Sequence, residues 1–405
     1  MTAIPDQGNE PFQLSQLIYD TRYRSLTIQF IAIIAVVLFF GWLISNAITN
    51  LAAQGQDIDF AFFGSPAGYD ISMSLIDYNS QSTHLRAAFV GLFNTLLVSI
   101  LAIISATIVG TIAGVLRLSN NWLISKLMSI YVEIFRNVPL LVWILIIFGV
   151  TINIFPQPRA FRGADPQASM WFSDSVAFTN RGVYIPKPIW ESGSAIVVAV
   201  FLLSIIGIFV FRRYARNLLY KTGTLLPVGW ISLGIFVVPT AVVFVAMGTP
   251  ISLEYPALRG FNFQGGIQVL GSLIALWFAL TVYTGAFIAE NVRAGIMAIS
   301  KGQTEAAGAL GLRPGRIMNL VVLPQALRVI IPPLISQFLN ITKNSSLAIA
   351  VGYPELTATL GGITLNQTGR AMECVLLLML FYVSISLSIS FLMNIYNNAV
   401  KLKER

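Results

Sequence analysis

Eight stretches of mainly apolar residues divide this chain, at roughly 26–46, 89–116, 129–152, 194–211, 228–248, 269–291, 327–350 and 374–396. A helix needs about 20 such residues to cross the hydrocarbon layer of a bilayer, so each window reads as a transmembrane helix. The rest of the sequence does not compensate. Only 10% of the 405 residues are charged, against about 25% in a soluble domain. Two windows carry breaks: Pro139 in the third, and Pro332, Pro333 and Lys343 in the seventh. Membrane helices tolerate proline where neighbours satisfy the freed carbonyls. The first window follows a polar tail of about 25 residues and exceeds the 7–15 apolar residues of a signal peptide, so it reads as an anchor.

Composition removes several function classes. His84 is the single histidine and Cys374 the single cysteine. A zinc site, a histidine-based triad and an internal disulfide are thereby excluded. No paired carboxylates lie deep in the spans, so an intramembrane enzyme lacks its chemistry; no catalytic residue, metal or cofactor is expected in this chain. Basic residues exceed acidic ones, 25 to 17, but they sit beside apolar runs, which points to membrane topology and not to nucleic acid.

The positive-inside rule orients the chain. With the N-terminus inside, 15 basic residues fall on inside segments and seven on outside segments. Both termini and the segment between the sixth and seventh spans then lie in the cytoplasm. The long outside loops, about 47–88 and 153–193, contain turn formers such as Gly64-Ser65-Pro66 and Pro156, Pro158, Gly163. Ordinary connecting structure is expected there, with folding over a pore mouth, or contact with a soluble partner, as the alternative.

The inside segment 300–325 has a shaped pattern. Ser300 and Gln303 fit a capping box, which predicts a helix from there through Leu310. Gly311 suits its left-handed end. Pro314 suits the first turn of a second helix, which Pro324 is expected to end or kink. Ala306, Ala307 and Gly308 are small enough for another surface to approach closely, and Glu305 offers a charge.

The run Glu305-Ala306-Ala307-Gly308, with Gly311 and Leu323-Pro324 at the required distances, resembles the EAA loop of ABC-importer permeases; Val321 stands in a slot usually held by Ile. The likeness extends to Phe93-Asn94-Thr95, Tyr131-Val132-Glu133-Ile134-Phe135-Arg136-Asn137-Val138-Pro139, Ala289-Glu290-Asn291-Val292-Arg293-Ala294-Gly295 and Lys343-Asn344-Ser345-Ser346-Leu347. Together these are similar to the polar amino-acid uptake branch, and the layout resembles the larger permease subunit of general L-amino-acid importers. Asn344 departs from relatives that carry an acid.

The resemblance implies an all-α integral membrane protein of about eight transmembrane helices with a type I ABC-importer permease core of five. The expected divisions are a cytoplasmic tail 1–25, an extra helix 26–48 and a periplasmic loop 49–88. The core follows at 89–152, then an insert with two helices at 153–268, the second core part at 269–397 with the coupling loop 300–325, and a tail 398–405. In that family the loop docks on an ATPase, which makes Glu305, Ala306, Ala307, Gly308, Gly311, Leu323 and Pro324 the expected coupling residues. The implied partners are a second homologous permease in a heterodimer, an ABC ATPase dimer that binds ATP and Mg, a periplasmic amino-acid-binding protein, and lipid, in the bacterial inner membrane. The chain itself has no G-x-x-x-x-G-K-[ST] phosphate loop.

Polar groups within the spans are candidate path or pairing residues. Glu133 and Arg136 are three apart on one helix face, as are Glu290 and Arg293; ion pairing within or between helices near the inner gate is expected of them, with direct substrate contact as the alternative. Gln337, Asn340 and Asn344 share a face in the seventh span. With Lys343, Ser345 and Ser346 they form a hypothetical substrate pathway, Lys343 attracting an α-carboxylate. Pairing of Lys343 with a carboxylate on a neighbouring helix is the alternative. Ala106, Gly110 and Gly114 form a small-residue ladder for close helix packing, with a seam to a sister permease as one place for it.

The function expected is an ATP-driven importer permease for L-amino acids working by alternating access. The competing readings are an ion-coupled secondary amino-acid transporter, which the loop does not suit, and a structural half whose sister permease holds the only substrate site.

Overall fold

The computed structural model describes Ile18, Gly55 and residues 21–53, 57–163 and 166–400. Residues 1–17 and 401–405, which hold most of the two expected tails, lie outside these. Among the described residues, eight helical stretches are long and apolar enough to cross a membrane.

Helix α1 (Thr21–Ala53) is longer than its apolar window and presents exposed side chains along its length. The packed core begins at α2 (His84–Leu116), where Thr83 accepts the Arg86 N–H at 3.2 Å and caps the first turn. The third expected span is two helices: α3 (Trp122–Asn137) and α4 (Leu140–Ile154). Val138 between them is extended, because a residue before proline is disfavoured in the α region. The sequence window 129–152 therefore fused the end of an amphipathic helix with a short apolar one. Tyr131 on α3 donates to the Val282 carbonyl at 2.7 Å, fixing α3 against the next core helix.

That helix, α7 (Gly271–Met297), is the centre of the bundle and the most buried of the spans. Its long contact with α2 depends on missing side chains. A Cβ at Gly110 would lie 2.7 Å from the Gly285 carbonyl, and one at Gly114 would lie 2.6 Å from that of Ala289. The small-residue ladder thus packs inside this chain, on α7, and not at a seam with another subunit.

Between α4 and α7 the chain makes α5 (Ser194–Thr222) and α6 (Val228–Ala246), an antiparallel pair with Phe201 and Phe236 rings 5.2 Å apart. The segments around them are not plain connections. Strands β1 (Ala177–Thr179), β2 (Gly182–Ile185) and β7 (Ile267–Leu270) form one antiparallel sheet in that order. Strand β3 (Lys187–Trp190) pairs β4 (Ile251–Glu254), and β5 (Ala257–Arg259) pairs β6 (Asn262–Gln264). A small β layer therefore joins the two ends of the insert, and β7 leads directly into α7. Each strand has only three or four residues, too short to show an alternating pattern in the sequence.

The loop 57–83 also folds back. The side chain of Asn94 on α2 donates to the Met73 carbonyl at 2.9 Å, and the Tyr69 hydroxyl lies 2.9 Å from that of Thr364. This loop is therefore packed on the end of the bundle and is not a plain connection.

The seventh span is a continuous composite. Helix α8 (Lys301–Ala309) is followed by α9 (Pro314–Ile317), a π turn at Met318–Val322, and α10 (Leu323–Asn344). Pro324 does not end the helix: it stands in the first turn of α10, directly after the π turn, and the helical run continues to Asn344. After α10 comes a tight 3-10 turn, Ser345–Val351, and a left-handed Gly352. The chain then re-enters the bundle through a π-helical turn, Thr357–Thr364, and α11 (Leu365–Thr368) before α12 (Ala371–Val400).

Candidate functional site

Helix α8 and its turn stand out from the bundle. Glu305, Ala306 and Gly308 are exposed, whereas Ala307 is buried beneath them. Gly311 takes φ +77°, and a Cβ at Gly302, Gly308, Gly311 or Gly315 would meet nothing within 4 Å. Leu310 is 82% exposed at the tip. Open space over small residues beside a bare leucine is suited to approach by another protein. The expected capping box does not form. Ser300 makes no side-chain cap, and the Gln303 side chain instead accepts from Gln325 at 2.5 Å. That bond ties α8 to the first turn of α10, beside exposed Leu323 and half-buried Pro324. Glu305 itself makes no hydrogen bond or ion pair within the described residues.

Behind this loop lies a charge cluster. Glu290 on α7 binds Arg293 one turn on, as expected, and also Arg117 from the end of α2. Arg117 further donates to Ser129 on α3 at 3.3 Å. One carboxylate therefore links three helices at the end of the bundle from which α8 springs. Arg117 was legible only as a basic residue of an inside loop, since nothing in its spacing places it near residue 290. Glu133 and Arg136 do not pair. Asn137 donates to the Glu133 carboxylate at 3.3 Å, while the Arg136 guanidinium stacks 5.2 Å from the centroid of the Phe287 ring on α7. Placement of Arg136 over an aromatic face, which attracts cations, outcompetes the exposed i,i+3 pair. Glu290→Ala is expected to destabilise the bundle by roughly 1–3 kcal/mol, between the values for exposed and buried pairs, because Arg117 stays only 12% exposed without its anion. A lower unfolding temperature in detergent checks this, and Glu290→Gln should fall between alanine and the natural residue.

Helix α10 is two-faced. Ile330, Ile331, Ile341 and Thr342 are buried against the core, with Leu334 and Phe338 packed partly into it. The other side carries Ser336, Asn340 and Lys343, all exposed, and half-buried Gln337 and Asn344. Among the described residues no carboxylate lies within ion-pair distance of Lys343, so the expected alternative of a paired lysine is not what the structure contains. Ser345 departs from the proposed pathway. It is wholly buried and its hydroxyl donates to the Thr342 carbonyl at 2.7 Å. Ser346 is half-buried and bonds back to Lys343 O.

The break after α10 brings in residues that were not expected. Asn94 donates to the Pro354 carbonyl at 2.8 Å, Tyr353 donates to the Asn94 carbonyl at 3.0 Å, and Thr95 accepts the Leu356 N–H at 3.1 Å. Gly91 permits this approach, since a Cβ there would lie 2.9 Å from Leu356 Cα. Asn94 and Thr95, well inside α2, thus clamp the re-entering chain. Glu355, fully buried, accepts the N–H groups of Thr357 and Ala358 at 2.9 and 2.8 Å and the Tyr382 hydroxyl at 2.9 Å. Burial pushes its carboxyl above the ordinary range, against these hydrogen bonds. An acid after Gly-Tyr-Pro between two apolar windows was the available signal.

Sequence comparison decides the family. A profile of the family described as "Binding-protein-dependent transport system inner membrane component" matches residues 221–402. The chain is 52% identical, over the whole length of both proteins, to the glutamate/glutamine/aspartate/asparagine transport system permease protein BztB of Rhodobacter capsulatus. The chain belongs to the amino-acid ABC transporter permeases. It is also 42% identical to the general L-amino acid transport system permease protein AapQ of Rhizobium johnstonii, over 96% of this chain and 94% of that one. To the putative amino-acid ABC transporter permease protein YhdX of Escherichia coli it is 44% identical, over 94% and 95%. This permease is therefore a multi-pass membrane transport subunit and not an enzyme, and the secondary-transporter reading falls away.

Proposed function

We propose that this permease carries L-amino acids along the polar side of α10, using ATP bound with Mg and hydrolysed on separate ABC ATPase subunits that dock at α8. The observation that carries the solute path is the exposed row Ser336, Asn340 and Lys343, with half-buried Gln337 beside it, in an otherwise apolar span. A cation and amides facing hydrocarbon are costly, so such a side faces a water-filled path or another protein. A second, homologous permease opposite α10 would enclose that path, which favours a heterodimer. Lys343 is a point charge for the α-carboxylate, and the amides of Gln337, Asn340 and Asn344 both donate and accept, as a zwitterion requires. Relatives named for glutamate, glutamine, aspartate and asparagine fit this chemistry.

In this reading both termini and the α8 loop are cytoplasmic, and the β layer and loop 57–83 face the periplasm of a bacterial inner membrane. There an amino-acid-binding protein delivers the solute. ATP binding closes the ATPases, α8 moves with them, and the Glu290 cluster transmits the motion to α2, α3 and α7. The bundle opens outward, takes the solute, and returns inward on hydrolysis.

The test is uptake by the complete transporter in proteoliposomes. Asn340→Ala and Lys343→Gln should each lower kcat/KM for L-glutamate about tenfold, the worth of one good polar contact to a charged group, with ATPase association unchanged. Normal uptake in both variants would assign the solute site to the second permease instead.

A further inference from the structure

The stretch 352–355, between the end of the 3-10 turn and the π turn, has little hydrogen-bonded ladder of its own. It begins at left-handed Gly352, just after the 3-10 turn Ser345–Val351, and passes Pro354, which has no N–H, before the π turn Thr357–Thr364 starts. Its position must come from ties to other helices. Asn94 and Thr95 supply them from α2 on one side. On the other, Glu355 receives two backbone N–H groups of the segment on its two oxygens and the Tyr382 hydroxyl of α12. Tyr382 also lies 3.1 Å from the Thr357 hydroxyl. Ser345 directly follows Asn344, the last residue of α10.

The turn that Glu355 caps is joined to the end of α10 through the chain itself: Tyr353 donates its N–H to the Ala348 carbonyl at 3.2 Å, inside the 3-10 turn that directly follows Asn344. We propose that Glu355 is a positioning residue for transport: by joining the re-entering segment to Tyr382 it holds the end of α10, and with it Asn340 and Lys343, in register toward the solute. This rests on the reading of α10 as a solute-facing helix. A glutamine at this place offers one acceptor oxygen and an amide group whose protons oppose a backbone N–H. Tyr382→Phe removes only the tie to α12 and leaves the carboxylate with both backbone donors.

The experiment uses the complete transporter in proteoliposomes, with Asn340 intact for the uptake and hydrolysis readouts and a separate Cys374→Ser, Asn340→Cys background for the labelling readout alone. It reads ATP-driven uptake of L-glutamate and L-glutamine, basal ATP hydrolysis, and the rate of maleimide labelling at position 340. Glu355→Gln should shift the glutamate-to-glutamine uptake ratio and the labelling rate at least about threefold, a change of roughly 0.6 kcal/mol. ATPase association and basal hydrolysis should be kept, and Tyr382→Phe should shift both readouts in the same direction by less. Unchanged ratio and labelling in both variants would overturn the proposal. So would a fall only in the amount of assembled transporter with unchanged behaviour per molecule, which marks a purely structural role. If Glu355→Gln does not assemble, Tyr382→Phe decides. Failure of the solute-path reading is separable: Asn340→Ala would then transport normally, while the labelling rate would still report whether Glu355 holds α10.

Discussion

Glu305→Lys is expected to release this permease from its ATPase and abolish ATP-driven uptake while leaving the membrane bundle folded. The side chain is exposed and bonds to nothing within the described residues, and surface substitutions of that kind change stability by about 0.5 kcal/mol or less. At a docked surface the same change places like charge against whatever basic group Glu305 meets. Loss of an interface hot spot costs about 2 kcal/mol or more, a weakening of at least about 30-fold. Copurification of tagged permease with co-expressed ATPase measures it, with thermal unfolding as the control for folding. Retention of the ATPase together with normal uptake would remove α8 from the coupling role. Leu310→Ala, at the 82% exposed tip, should weaken association in the same direction.

Gly114→Ala should produce a large loss of stability from a very small change. The added Cβ would stand 2.6 Å from the Ala289 carbonyl and 2.8 Å from Val292 Cβ. The first of these is backbone and cannot rotate aside, so α2 and α7 must part. Overpacking of this kind costs about 1–3 kcal/mol. Gly234, in the middle of α6, is the comparison: a Cβ there meets nothing within 4 Å, and alanine is the better helix former by about 1 kcal/mol. Gly234→Ala is therefore expected to be neutral or mildly stabilising. Unfolding in detergent, followed by tryptophan fluorescence, distinguishes them. Equal behaviour of the two variants would contradict the packing of α2 on α7.

The two variants also separate what kind of information each residue carries. Helix α8 was legible because its signals are local: Gly311 ends a helix and Pro314 begins one within a few residues. The spans were legible for the same reason, since apolar length is a property of a continuous stretch. The failures are of the opposite kind. Arg136 was assigned to Glu133 by spacing, and it stacks instead on Phe287, 151 positions away in the chain. Glu290 was paired correctly with Arg293 on its own helix, but its partner Arg117 comes from another. The ladder Ala106–Gly110–Gly114 announced close packing without saying against what.

Sequence alone determined that this chain spans a membrane about eight times, lacks the means to bind ATP at a phosphate loop, and carries the loop and motifs of an amino-acid ABC permease. Each of these follows from hydrophobic length or from residues close in the chain. Only tertiary structure decided the β layer that joins residues 177–190 to 251–270, the return of loop 57–83 onto the bundle, and the network around Glu355. Hydrogen bonds such as Asn94 to Pro354, 260 positions apart, are set by where the helices pack, and packing depends on the whole bundle at once.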